Sequence, residues 1–299
     1  MARERWFAGR SATARVAARL ERALAPPVRT YMAWFVEGHR VGWIIPERVP
    51  RLIARPDVFR RAERGVELVP ALATDAARTA AVAEIARALS AEGALTAWRD
   101  ERYAVAADAT RAPLLELERA AARYFGIHTF ASHANGVVAS GDGWRMWLAR
   151  RSPTKAIDPG LLDNLVGGGI PARAGPRETL VKEAFEEAGI PAGLARDARG
   201  AGTLDVCRDQ PEGLQWETMH VYDLWLPSGF APQNQDGEAV EHRLCAPQEL
   251  VSILEGDDIT ADASLVAVDF LLRHGHIEPG DPSLESLDRL RHPEAMPRE

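Results

Sequence analysis

The sequence predicts an α/β fold, and three observations carry that expectation. Residues 130–139, 144–150, 161–166 and 216–226 read as strands. An amphipathic helix, opened by Pro176 and stopped by Gly189, falls in the middle of them. The N-terminal third mixes helical and strand patterns. At 299 residues and 46% hydrophobic, the chain can bury one large core or two ordinary ones.

The first element is a helix. Arg15, Arg19 and Arg22 share one face, Val16, Leu20 and Leu24 share another, and Pro26-Pro27 ends it. Seven arginines against two glutamates in the first thirty residues could suggest a transit peptide, but the two-faced pattern is that of a domain helix. Residues 31–46 alternate and turn at Glu37-Gly38, as a hairpin does. A helix follows over 76–92, with Val82, Ile85, Ala86 and Leu89 in phase and Gly93 as its stop. Residues 113–125 predict another helix, closed by Gly126. Strands then flank the turn SGDG at 140–143, and 161–166 leads into a triple glycine. A last helix is predicted over 264–274, and the charged, proline-containing tail over 285–299 is expected to be mobile.

The central helix is the informative one. Glu183, Glu186 and Glu187 stand at i, i+3 and i+4 on one face, and Val181, Ala184, Phe185 and Ala188 form the expected core stripe. Like charges at that spacing cost about 0.2–0.5 kcal/mol per pair, and acids near a C-terminus oppose the helix dipole. A hard divalent cation, Mg²⁺ or Mn²⁺, turns that repulsion into coordination by oxygen. Glu178 lies four residues before Lys182, an order that favours an ion pair between them.

Residues 168–190, GGIPARAGPRETLVKEAFEEAGI, resemble the Nudix box, GX5EX7REUXEEXGU, where U is aliphatic. Gly168 matches its first glycine, Glu183, Glu186 and Glu187 its acids, and Gly189-Ile190 its close. Ala174 replaces the first Glu and Lys182 the Arg. WFVEGHRVGWIIP (34–46), WRDERYAV (98–105), FGIHTFASHANGVV (125–138), RRSPTKAIDPGLLDNLVGGG (150–169), NQDGEAVE (234–241) and VDFLLRHGHIEP (268–279) are similar to the Nudix proteins related to thiamine pyrophosphokinases. The resemblance implies a Nudix α/β/α sandwich over 125–284, preceded by a smaller α+β domain over 1–124. It also implies a metal-dependent hydrolase acting on thiamine diphosphate or its oxidised analogues.

On that reading Glu183, Glu186 and Glu187 are metal ligands, Gly168 offers a carbonyl oxygen, and Lys182 belongs to the catalytic set. Glu238, after the turn-forming Asp236-Gly237, is the expected further acid, as metal ligand or general base. Arg150 and Arg151 are candidates to meet phosphate. Trp34, Trp43 and Trp98 offer surfaces for a flat cationic ring, with Arg99, Asp100 and Glu101 beside Trp98 as pocket residues. His133 and Asn135 have the pattern of structural strand residues.

Composition excludes several classes. No apolar run reaches the roughly 20 residues of a membrane span, and the net charge of −7 speaks against nucleic acid as the main partner. Cys207 and Cys245 fit neither a disulfide framework nor a zinc pattern, which favours a reducing cytoplasm. The partner expected is a small-molecule diphosphate, and no pattern fixes an oligomeric state. A nucleoside diphosphate derivative is the nearest alternative substrate. A prenyl-diphosphate isomerase would need a motif-borne cysteine, and a non-catalytic binding module would not need the three acids.

Overall fold

The structure, a computed structural model, describes residues 10–141, 143–278, 280–293 and 297. After helix α1 (Arg10–Ala23) come strands β1 (Met32–Val36), β2 (His39–Ile44), β3 (Phe59–Ala62) and β4 (Gly65–Leu68), in the sheet order β2-β1-β4-β3. The short α2 (Val49–Ile53) and the longer α3 (Asp75–Ala91) pack Val49, Leu52, Val82 and Ile85 into one core with Trp34 and Phe59. A ribbon of β5 (Arg102–Val105) and β6 (Leu115–Glu118) joins that core, and α4 (Ala122–Phe125) closes it against the left-handed Gly126.

The second sheet holds β7 (His128–Ser140), β8 (Gly143–Arg151), β9 (Leu162–Asn164), β10 (Val166–Gly169), β11 (Arg199–Gln210), β12 (Gly213–Leu226) and β13 (Ala239–Cys245). Its main path runs β11-β12-β7-β8-β13, with β10 added to β7 and β9 to β8. β12 and β7 run parallel. Side-chain alternation sorts each strand between two cores: Ala131, Val137, Met219 and Val221 point to one face, Ala134, Val138, Tyr222 and Leu224 to the other. Helices α5 (Pro176–Ala188) and α6 (Ala192–Arg196) cover the second face. Helices α7 (Pro247–Glu255), α8 (Ala261–Arg273) and α9 (Leu284–Arg291) cover the first, which makes the α/β/α sandwich.

Three expectations need correction. Residues 113–125 are not one helix, because Leu115 and Leu117 alternate into the core on β6 and the chain becomes helical only from Arg119, as a 3-10 turn that runs into α4. Helix α1 does not join the core of the following residues. Its Val16, Leu20 and Leu24 pack with α7, α8 and α9 on the large sheet, so the first 124 residues are not one separate body. The stretch from 285 is not a loose tail. α9 buries Leu287 completely, and Arg291 reaches the buried Asp269 at 2.8 Å. Asp142 of the SGDG turn, Pro279 and residues 294–296 and 298–299 lie outside the described residues.

The N-terminal sheet and the sandwich also touch each other. Tyr31, Ala33 and Trp43 form a small apolar cluster with Cys207 and Leu214, and the Tyr31 hydroxyl donates to Asp209 at 2.6 Å. Both cysteines are buried and unpaired, and burial pushes the Cys207 thiol up to about 12. Among the described residues no helix is long and apolar enough to cross a membrane.

Candidate active site

Pro176 opens α5 and Gly189, at φ 64°, closes it in the left-handed region. The helix is rotated from the expected setting. Leu180, Ala184 and Ala188, spaced i, i+4 and i+8, are fully buried, whereas Phe185 is 54% exposed. Glu183 and Glu187 border that stripe, so they turn inward against β10, while Glu186 stays on the outer side.

The triple glycine of β10 makes this rotation possible. A Cβ on Gly168 would lie 2.5 Å from Cγ and Cδ of Glu183. On the opposite face of the strand, a Cβ on Gly169 would lie 1.9 Å from the Tyr103 hydroxyl, and one on Gly167 would lie 3.0 Å from the His133 ring. Bare backbone is required on both sides. The Gly167 N–H donates to the Glu187 carboxylate at 2.8 Å.

Burial dominates the electrostatics of these acids. It raises Glu187 well above the ordinary carboxylate value, and nearby Glu183 adds to this, against the opposing Gly167 hydrogen bond. Burial also raises Glu183, against Lys182. No cation contacts Glu187 among the described residues, and Lys155 acts on it only through space. The Lys182 ammonium donates to Glu183 at 3.0 Å and Glu186 at 2.6 Å, so the expected Glu178–Lys182 pair is replaced by this bridge. Those two acceptors raise the Lys182 pKa although burial opposes it.

A divalent ion suits this donor set: clustered hard oxygens, a buried carboxylate with no cation in contact, and an ammonium standing between two acids. Among the described residues no three His, Cys, Asp or Glu side chains already converge to metal-binding distance. Lys182 takes part of that role.

A cavity of about 190 Å³ lies on the other side of β10, between the two halves of the chain. Gly167, Gly168 and Gly169 form its shared wall with α5. Arg99, Tyr103 and Arg119 line it from the N-terminal half, and His133, Arg151, Lys155, Asp158, Trp216 and Asp262 from the sandwich. Arg119 and Tyr103 are within electrostatic reach of Glu183, as Lys155 and Asp163 are of Glu187.

Sequence-named residues divide around this cavity. Gly168, Arg99 and Arg151 line it. Arg151 is spent on its own loop, donating to Asp163 at 2.7 Å and to the Ile157 carbonyl at 2.8 Å. Glu101 stands behind the wall and accepts from Arg119 at 2.7 Å. Arg150 is outside, tied to Asp258 at 3.0 Å and to the Gly160 carbonyl at 2.7 Å. Trp98 packs on the N-terminal core and donates to Asp100 at 2.7 Å, and Trp34 and Trp43 are core residues. Glu238 is not free. It accepts from Arg99 at 2.6 Å and from Lys155.

Other residues were not singled out by sequence. Lys155 and Asp158 sit in the loop after β8, and their only signal was membership of the 150–169 resemblance. Trp216 lines the cavity and stacks on His128 at 4.4 Å with an interplanar angle of 2°. His242 contacts the Glu187 carbonyl at 3.1 Å. The Gln235 and Gln233 amides donate to the carbonyls of Glu186 and Ala188 at 2.7 and 2.9 Å, satisfying the end of α5 and fastening the Glu238 loop to it.

Comparison with known proteins fits this geometry. Residues 14–129 match a domain of unknown function, DUF4743, and residues 130–267 match the NUDIX domain. Nudix hydrolase 20, chloroplastic, of Arabidopsis thaliana is 34% identical over 272 residues, covering 87% of this chain and 73% of that one. The chain belongs to the Nudix family. Nudix hydrolase 24, chloroplastic, of the same plant is 35% identical over 265 residues, with the same 87% and 73% coverage. Among solved structures, DR0079 from Deinococcus radiodurans has 23% identity and a TM-score of 0.38, covering 48% of this chain and 81% of that one. This Nudix hydrolase is a pyrophosphohydrolase acting on a small molecule, and enzymes of its family use divalent metal ions.

Proposed function

We propose that this Nudix hydrolase cleaves a diphosphate joined to a flat cationic group, with thiamine diphosphate and its oxidised analogues as leading candidates. Water is consumed, and a monophosphate and inorganic phosphate are formed. Asp158 carries the reading. Its carboxylate lines the cavity and has no side-chain hydrogen bond or ion pair among the described residues; burial and neighbouring Asp262 raise its pKa, against Arg208, Arg151 and Arg123. An unpaired acid there suits a cation, and Trp216 supplies an aromatic face for it. The resemblance to thiamine-pyrophosphokinase-related proteins supports the same class.

Glu183, Glu186 and Glu187 are the proposed metal ligands for Mg²⁺ or Mn²⁺, with Gly168 contributing backbone oxygen. When bound, such an ion offsets phosphate charge and makes a water-derived nucleophile available near neutral pH. Arg99 and Lys155, which line the cavity, are the proposed partners of the phosphate oxygens. Arg119, steadied by Glu101, adds positive charge beside Glu183. Arg151 holds the loop that presents Asp158, donating to the backbone carbonyls of Asp158 at 3.1 Å and Ile157 at 2.8 Å.

A hydrolysis screen with Mg²⁺ tests this reading, with products identified by mass. Substrates are thiamine diphosphate, its oxidised analogues, ADP-ribose and nucleoside diphosphates. The thiamine-type compounds are expected to give the highest kcat/KM, with none hydrolysed in chelator. A preference for ADP-ribose or nucleotides would instead favour the nucleoside reading.

A further inference from the structure

Glu238 joins three separate stretches of chain at the cavity wall. Its own loop is fixed from behind: the Glu238 N–H donates to Asp236 at 2.8 Å, and Gln235 and Gln233 hold the loop on the end of α5. One carboxylate oxygen accepts from Arg99 at 2.6 Å, on the segment leading into β5. The other accepts from Lys155, on the loop after β8. Both cations line the cavity, whereas Glu238 stands behind them, and Lys155 is also within electrostatic reach of Glu187. Two cations this close repel each other unless an anion lies between them.

We propose that Glu238 is an internal counter-ion that substrate phosphate must displace from Arg99 and Lys155. This inference rests on reading the cavity as the substrate site. A carboxylate and a phosphate offer these cations the same chemistry, an anionic oxygen pair, so they compete for one set of donors. Glu238 therefore lowers affinity for diphosphate while keeping the two cations positioned for it. The role differs from that of a metal ligand or proton acceptor. Although burial opposes it, Lys155 and then Arg99 hold the Glu238 pKa down to about 2, which makes it a weak base.

Inorganic pyrophosphate, titrated into the full chain without metal, reads the competition without turnover. Glu238→Gln is expected to bind it about fivefold more tightly than wild type, the scale of a partly exposed ion pair. Glu238→Asp, whose carboxylate is drawn back by one methylene, is expected to shift the same way, so either variant that melts like wild type decides the outcome. Arg99→Ala and Lys155→Ala should bind pyrophosphate more weakly. In turnover, KM should fall in Glu238→Gln, a change that a merely structural role for Glu238 would not produce. Unchanged or weaker pyrophosphate binding in the Glu238 variants overturns the proposal. So does a loss of kcat of about a hundredfold or more, which would make Glu238 a direct participant in the chemistry. Because the probe carries no organic group, failure of the thiamine-type reading would leave the pyrophosphate shift intact.

Discussion

Glu187 is a carboxylate held in the interior by a single backbone amide, so its charge is costly until a cation arrives. Its folded pKa is raised, which means the folded chain binds a proton more readily than the unfolded one. Its stabilising effect is therefore complete below the ordinary value of 4.5 and is lost as pH rises through the raised value. Melting temperature followed against pH in chelator should fall across that window. Mg²⁺ should reduce the fall, and Glu187→Gln should remove most of the slope. The same variant should lose about a thousandfold in turnover if the ion supplies ~4 kcal/mol of transition-state stabilisation. A Glu187→Gln enzyme with wild-type turnover would remove this acid from the site. Glu178 gives the opposite expectation: because Lys182 pairs with Glu183 and Glu186, Glu178→Ala should leave kcat/KM within about twofold of wild type. A larger loss would show that Glu178 supports the helix after all.

At the scale of elements, α5 was legible in its limits and its acids but not in its orientation. Pro176, Gly189 and the i, i+3, i+4 spacing are local signals. Which face is buried depends on β10, whose missing side chains let Glu183 and Glu187 sink where Val181 and Phe185 were expected. The short strands β3 and β4 and the β5–β6 ribbon span four residues each, too few for a firm period, and the leucines of 113–125 suited a helix equally well. Helix α1 was visible as an amphipathic segment, but its partner was not, since its apolar face fits any core. Leu20 is fully buried in the cluster with α7, α8 and α9. Leu20→Ala should destabilise the whole chain by about 3 kcal/mol in equilibrium denaturation. A change below about 1 kcal/mol would mean that α1 is not part of this core.

Across the whole molecule, the candidate site draws on both halves of the chain. The metal-type acids could be read from one continuous segment, whereas the cavity is assembled from distant ones: Arg99 and Arg119 on one side, Lys155, Asp158 and Trp216 on the other. No sequence period brings such residues together. A fragment beginning near Tyr124 would lose α1 and the Tyr31–Trp43 cluster along with half the cavity, so substitution within the full chain is the cleaner probe of selectivity. The central claim is that the cavity selects the organic cation while the acids of α5 act on the diphosphate. Its most direct test is the ratio of kcat/KM for thiamine diphosphate to that for an uncharged-headed alkyl diphosphate, measured in wild type and in Asp158→Asn. Asp158→Asn should lower the ratio by about tenfold, nearly all of it from the cationic substrate, because remote contacts assist only substrates that reach them. Equal proportional losses on both substrates, in a protein that melts like wild type, would contradict the account.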